Sequence, residues 1–181
     1  TNSVANTATN TFTVTPDTTG PTVTAIVSKQ SGGAAGNGKL ENGDQLVLTY
    51  SEELTPGTIP ATFTGTETRA GSLLSALPHV FLNIPNFTNG ALDTGDSGYL
   101  ATGLLCALGV CSAGTANFSG TVALVESGSS TTVTLTVTAL SGDATAAGNG
   151  ALPYVSATSI QDRVANAATG TFTTAGAFKL F

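Results

Sequence analysis

The side chains that most often carry chemistry are scarce in this chain. There is one histidine, His79, two cysteines, Cys106 and Cys111, and eleven carboxylates. Glu52 and Glu53 are adjacent, and neighbours on a strand point to opposite faces. They are therefore not expected to flank one glycosidic bond as a hydrolase pair does. His79 sits in LPHVFLNIP, a Pro-bounded apolar run without a nucleophile-elbow serine. No catalytic constellation is expected, and the chain reads as noncatalytic.

Metal ligation is the other chemistry these residues offer. Asp17 precedes the first expected strand and Asp162 the last, so a β-sandwich would bring both to one end, with Asp143 or Asp44 as further candidates. Such oxygen ligands suit a hard cation, Ca²⁺ above all. Aspartates in turns also commonly cap their own backbone. Asp93-Thr94-Gly95-Asp96 lacks the twelve-residue EF-hand pattern with its terminal glutamate.

Cys106 and Cys111 lie in LLCALGVCSAG. Two thiolates and one distant histidine fall short of the four ligands of a structural zinc site, and a redox pair is normally C-x-x-C. A short Cys106–Cys111 disulfide loop is expected, which implies an oxidising, extracytoplasmic setting. Two reduced, buried thiols are the alternative.

Composition narrows the partners. Charged residues are 9% of the 181 residues, against a usual figure of about 25%, so the surface is expected to be built of hydroxyls. With 40% hydrophobic residues and mean hydropathy +0.24 the chain should fold. Five Lys and Arg against eleven Asp and Glu give net charge −6, without the basic footprint that nucleic acid requires. No transmembrane segment is expected, because no apolar run reaches 18 residues. The absence of Met and Trp and the wealth of Thr, Ser, Gly and Asn fit an extracellular, cell-surface protein.

Alternation of apolar with polar residues marks half-buried strands along the chain. It is clearest in DQLVLTYS (44–51) and TTVTLTVTA (131–139), and PTVTAIVSK (21–29) alternates with a local bulge. NFSGTVALVE (117–126) joins the 131–139 strand through SGSS, a loop of hairpin length. A short strand is expected at 58–64, and 157–161 with 170–174 as the closing pair. About seven strands separated by Gly, Pro, Asn and Asp turns predict an all-β, immunoglobulin-like β-sandwich. Residues 21–181 would form it, with a long irregular insertion at about 70–116 and an N-terminal arm at 1–20. The apolar AGAFKLF at the end is expected to pack as a strand or plug and reads as a true C-terminus.

Several stretches together resemble the bacterial immunoglobulin-like (Big-type) repeats of surface adhesins and cell-envelope proteins. Pro16-Asp17-Thr18-Thr19-Gly20-Pro21 resembles their inter-repeat junction, and the second strand there ends in an aromatic-Ser-Glu, as Tyr50-Ser51-Glu52 does here. Asp162-Arg163-Val164-Ala165-Asn166 resembles the Asp-x-x-Gly-Asn turn before the last strand, with Val164-Ala165 where the family often has Ala-Gly. The resemblance implies junctions stiffened by Ca²⁺, for which Asp17 and Asp162 are the candidates already placed at one end. The insertion makes this chain longer than the usual repeat of about 100 residues.

One duplication bears directly on function. VANTATNTFT (4–13) is repeated as VANAATGTFT (164–173), differing only at Thr7/Ala167 and Asn10/Gly170. The second copy finishes the domain, so the first is an extra strand addressed to another copy of the fold. Its even-numbered side, Val4, Ala8, Phe12 and Val14, is expected to be buried in that assembly, with Asn10 the polar exception. The expected function is a structural subunit or module of a bacterial surface fibre or stalk, joined to copies of itself by donor-strand-like, head-to-tail contacts. Alternatives are one repeat of a tandem adhesin with Ca²⁺-stiffened junctions to adjacent repeats, or a carbohydrate-binding module. The last would bind host or surface glycans, with Tyr99 the aromatic best placed for it.

Overall fold

A computed structural model describes residues 11–35, 40–70, 79–94, 114–142, 150–176 and 178–179. The protein is all-β, with 52% strand, and no α-helix occurs among the described residues. In chain order the strands are β1 (Val23–Lys29), β2 (Gln45–Tyr50), β3 (Thr62–Ala70), β4 (His79–Asn83), β5 (Leu92–Asp93), β6 (Gly114–Ser127), β7 (Ser130–Gly142), β8 (Pro153–Val155) and β9 (Thr171–Thr173). The first seven form one curled antiparallel sheet in the order β1-β2-β7-β6-β3-β4-β5, and β8 and β9 pair as a second, two-stranded sheet.

The period-2 pattern places the core. Leu46, Leu48 and Tyr50 of β2 face inward, and so do Val133, Leu135 and Val137 of β7. The register sets Leu46 opposite Leu135 and Leu48 opposite Val133, so the buried residues of the two strands form cross-strand pairs. The intervening threonines of β7, Thr132, Thr134 and Thr136, are only half-buried and give the sheet its hydroxyl face. β1 carries its expected bulge, a register shift between Val23 and Ala25, which lets Val23 and Ile26 both point inward. β6 and β7 form the longest ladder, closed by the two-residue turn Gly128-Ser129.

Side chains from both sheets meet in one core, where Leu152 and Tyr154 join the residues of β2 and β7 and Phe172 packs against them. Buried polar tips are satisfied within it. The Tyr154 hydroxyl donates to the carbonyl of Phe87 at 2.6 Å, and the Tyr50 hydroxyl lies 3.3 Å from Ser156 Oγ. Burial pushes both phenols above their usual range, so they stay neutral.

Three elements differ from expectation. The closing pair is 153–155 with 171–173, because Ala157 to Ile160 forms a turn, with Ile160 N–H donating to the Ala157 carbonyl. Ala157 and Ile160 are both buried at a spacing of three, which is turn geometry and not alternation. The short strand begins at Thr62, after a 3₁₀ turn at Pro56–Thr58. The stretch 70–116 is also less irregular than expected, since it supplies β4, β5 and the start of β6, and Leu82, Ile84 and Phe87 from it are fully buried. Cys106 and Cys111 lie outside the described residues.

Leu48 is fully buried between β1 and β7. Leu48→Ala should lower unfolding free energy by about 2–5 kcal/mol, read from urea midpoints. Val125→Ala, at a side chain 61% exposed, should stay within about 0.5 kcal/mol.

Candidate functional site

The turn after β8 is organised by one buried carboxylate. Asp162 is 2% exposed. Its Oδ1 accepts the N–H groups of Val164 at 2.9 Å and Asn166 at 2.8 Å, and its Oδ2 accepts the Asn166 Nδ2 at 2.8 Å. The Asp162 N–H donates to the Asn166 carbonyl, closing the loop. The Thr55 hydroxyl donates to the Asp162 carbonyl, which ties the turn to the segment after β2. Ala165 has φ +70°, a left-handed conformation that costs an L-residue with a Cβ roughly 1–2 kcal/mol.

The same turn holds the chain that leads into β1. Asn166 Nδ2 also reaches the carbonyls of Asp17 at 3.3 Å and Thr19 at 3.1 Å, and Thr169 N–H donates to the Pro21 carbonyl at 3.0 Å. Gly20 passes so close to the turn that an added Cβ would lie 1.8 Å from the Ala167 carbonyl oxygen, so only glycine fits. On the other side, Ser51 Oγ accepts the Thr22 N–H at 3.0 Å. The linker is thus clamped between the end of β2 and the closing turn.

This clamp gathers carboxylates. One oxygen from each of Asp17, Glu52 and Asp162 lies within 4.8 Å of the others. Asp17 is held low by the N–H of Thr19 at 3.0 Å and then by the Thr19 hydroxyl at 2.8 Å, an Asx turn. Glu52 is pushed up, first by burial and then by the charges of Asp17 and Asp162. Glu53 and Arg163 line the same cleft as the trio, with Glu53 Oε2 3.7 Å from Arg163 Nε, and Arg163 also pairs with Glu126 from the β6–β7 hairpin. The donors of the trio are all oxygen, as a hard cation prefers, but three carboxylates supply fewer than the six to eight ligands of Ca²⁺.

Asp17 and Asp162, paired in the sequence reading, are therefore brought together. Glu52 joins them, and the signal for it was its position two residues past β2, beside the linker. Asp44 stands at the other end of β2, buried, accepting the N–H groups of Glu41 at 2.6 Å and Ser31 at 3.3 Å. Asp143, Asp96 and Tyr99 lie outside the described residues. His79 opens β4.

Beyond the clamp, residues 11–19 are all exposed. Phe12 is 81% and Val14 71% exposed, the largest values among the exposed large hydrophobics. Val4 and Ala8 lie outside the described residues. No protein family, curated protein or solved structure matches the chain.

Two measurements probe the clamp. A carboxyl whose folded pKa is raised destabilises the fold above that pKa, and the penalty vanishes below its ordinary value of 4.5. Glu52→Gln should therefore raise Tm at pH 7 by about 1–2 °C, and the gain should close as pH falls below that value; an unchanged Tm at pH 7 would speak against a penalty from burial and like charge together. Ala165→Gly should raise stability by about 0.5–1 kcal/mol in urea melts, because glycine takes the left-handed conformation without strain.

Proposed function

We propose that this chain is a noncatalytic structural subunit or module of an extracellular bacterial surface fibre or stalk. It is an immunoglobulin-like β-sandwich of the Big type, joined to copies of the same fold by strand-mediated, head-to-tail contacts. The observation that carries this reading is the arm. Its apolar side chains, Phe12 and Val14, stand in solvent ahead of the clamp, while its sequence duplicates the segment that closes the fold. An isolated soluble domain gains nothing from an exposed copy of its own closing strand, whereas a strand with a partner groove gains the burial of a phenylalanine, about 1.5–3 kcal/mol.

Two further observations support the family reading. Ala165, where such repeats often have glycine, has the positive φ that glycine adopts freely. The clamp between Asp17, Thr19 and Asn166 also fixes the entry of the linker, as a load-bearing junction between repeats requires. The surface is poor in charge and rich in hydroxyls, which fits a cell-surface setting.

The second reading, one repeat of a tandem adhesin with Ca²⁺-stiffened junctions, is favoured by the approach of Asp17, Glu52 and Asp162. Here Ca²⁺ would offset the mutual repulsion of the trio. Glycans remain a partner class for an adhesin of this kind.

Sedimentation and negative-stain microscopy separate the readings. The full chain should form polymers with rising concentration, and removal of Thr1 to Thr15 should leave a monomer of unchanged Tm. A full chain that stays monomeric overturns the fibre. The tandem reading then requires that millimolar Ca²⁺ raise Tm in the parent and not in Asp17→Asn.

A further inference from the structure

Resting on the strand-mediated reading, we propose where the arm binds: in an adjacent copy of this fold it displaces Val164–Thr173 and takes the slot that this segment fills, a strand swap between copies. It does not add a strand at the outer edge of β1. The basis is that the structure uses the closing segment residue by residue, and the arm keeps what is used.

Asn166, the anchor whose amide joins Asp162 to the linker, corresponds to Asn6. Ala168, 2% exposed, corresponds to Ala8. Phe172, which packs on the core and pairs with Tyr154 of β8, corresponds to Phe12. Thr169, Thr171 and Thr173 are exposed and correspond to Thr9, Thr11 and Thr13. The two differences fall where the fold accepts them. Ala167 is only half-buried, which leaves room for Thr7. Gly170 has φ +80°, and Asn10 stands in its place, asparagine being among the residues that best tolerate that conformation after glycine. The correspondence extends upstream in part: Asn2 aligns with Asp162, and its one side-chain oxygen is able to accept the two backbone N–H bonds but not the third, which Asp162 Oδ2 accepts from the anchor amide. A segment evolved only to add at a sheet edge needs alternation, not an anchor amide and a left-handed position.

Direction makes the contact intermolecular or inter-repeat. The arm meets the clamp through its C-terminal end, with Thr13 four residues before Asp17, whereas the closing segment leaves the clamp through its N-terminal end at Val164. The arm cannot lie in its own slot in the same direction without pulling the linker off Asn166. Side-chain roles also change relative to simple alternation. Val164 is 60% exposed, so Val4 contributes little, and Asn6, Ala8 and Phe12 carry the contact.

The test uses full chains. The donor carries a photo-crosslinking residue at position 12. The acceptor carries Ala168→Glu, which drives its own closing segment from the core, or the milder Phe172→Asp if the first fails to fold alone. Crosslinks should map to β8, at Pro153–Val155 of the acceptor, and the donor should restore the acceptor's β-sheet signal. Ala8→Glu in the donor should weaken capture by about tenfold or more, with Val4→Ala within about twofold. Crosslinks on β1 instead would overturn the slot while leaving strand-mediated assembly intact. So would capture that Val4→Ala abolishes and Ala8→Glu spares. Absence of crosslinks overturns the slot alone if the full chain still polymerises, and both readings if it does not.

Discussion

Much of this structure depends on how one buried carboxylate is satisfied. Asp162 is out of water, and a carboxylate so placed needs donors to offset lost hydration. Two backbone N–H groups and the Asn166 amide supply them. The geometry of that solvation bends the chain into the turn, imposes the left-handed conformation on Ala165, and orients the Asn166 amide toward the linker. The linker's course past Gly20 and its junction with β1 follow from the same group. Removing the carboxylate would therefore loosen entry and exit of the fold together.

The clamp also explains why like charges are tolerated side by side. Glu52 ends the segment that must meet the linker, and Asp17 turns back on Thr19 at the same place. Their repulsion is modest because both are near solvent, while the turn that brings them together is held by many hydrogen bonds. Arg163 borders the same cleft and pairs with Glu53 and with Glu126 on the β6–β7 hairpin. One short segment thus carries both the exposed ion pairs and the buried turn.

How much of this was legible in the residues depends on the type of signal. β2 and β7 were plain, since Leu46, Leu48, Tyr50 and Val133, Leu135, Val137 alternate without interruption. The hairpin between β6 and β7 was plain from its loop, and the bulge in β1 from the spacing of Val23 and Ile26. The closing pair was misplaced because Ala157 and Ile160 are buried by a turn, which carries no period. β4 and β5 were hidden by short length and by the Gly-rich stretches around them. At the site, Asp17 and Asp162 were legible from their places before the first and last strands. Glu52 was not, because its neighbour Glu53 drew attention to a pair, and only the path of the linker separates the two. The sandwich and family readings are proposals that rest on the order of short motifs.

The clamp has a mechanical consequence. β1 continues directly from the linker and is hydrogen-bonded to β2 along its length, from Val23 opposite Tyr50 to Lys29 opposite Gln45. A pull on the arm directed along β1 therefore loads that ladder in shear, with all its bonds resisting together and none opening first like a zipper. The bonds from Asn166 to the linker and from Thr169 to Pro21 stand ahead of the ladder. Tension must break them before it reaches β1, so the turn behaves as a fuse placed at the entrance of the domain.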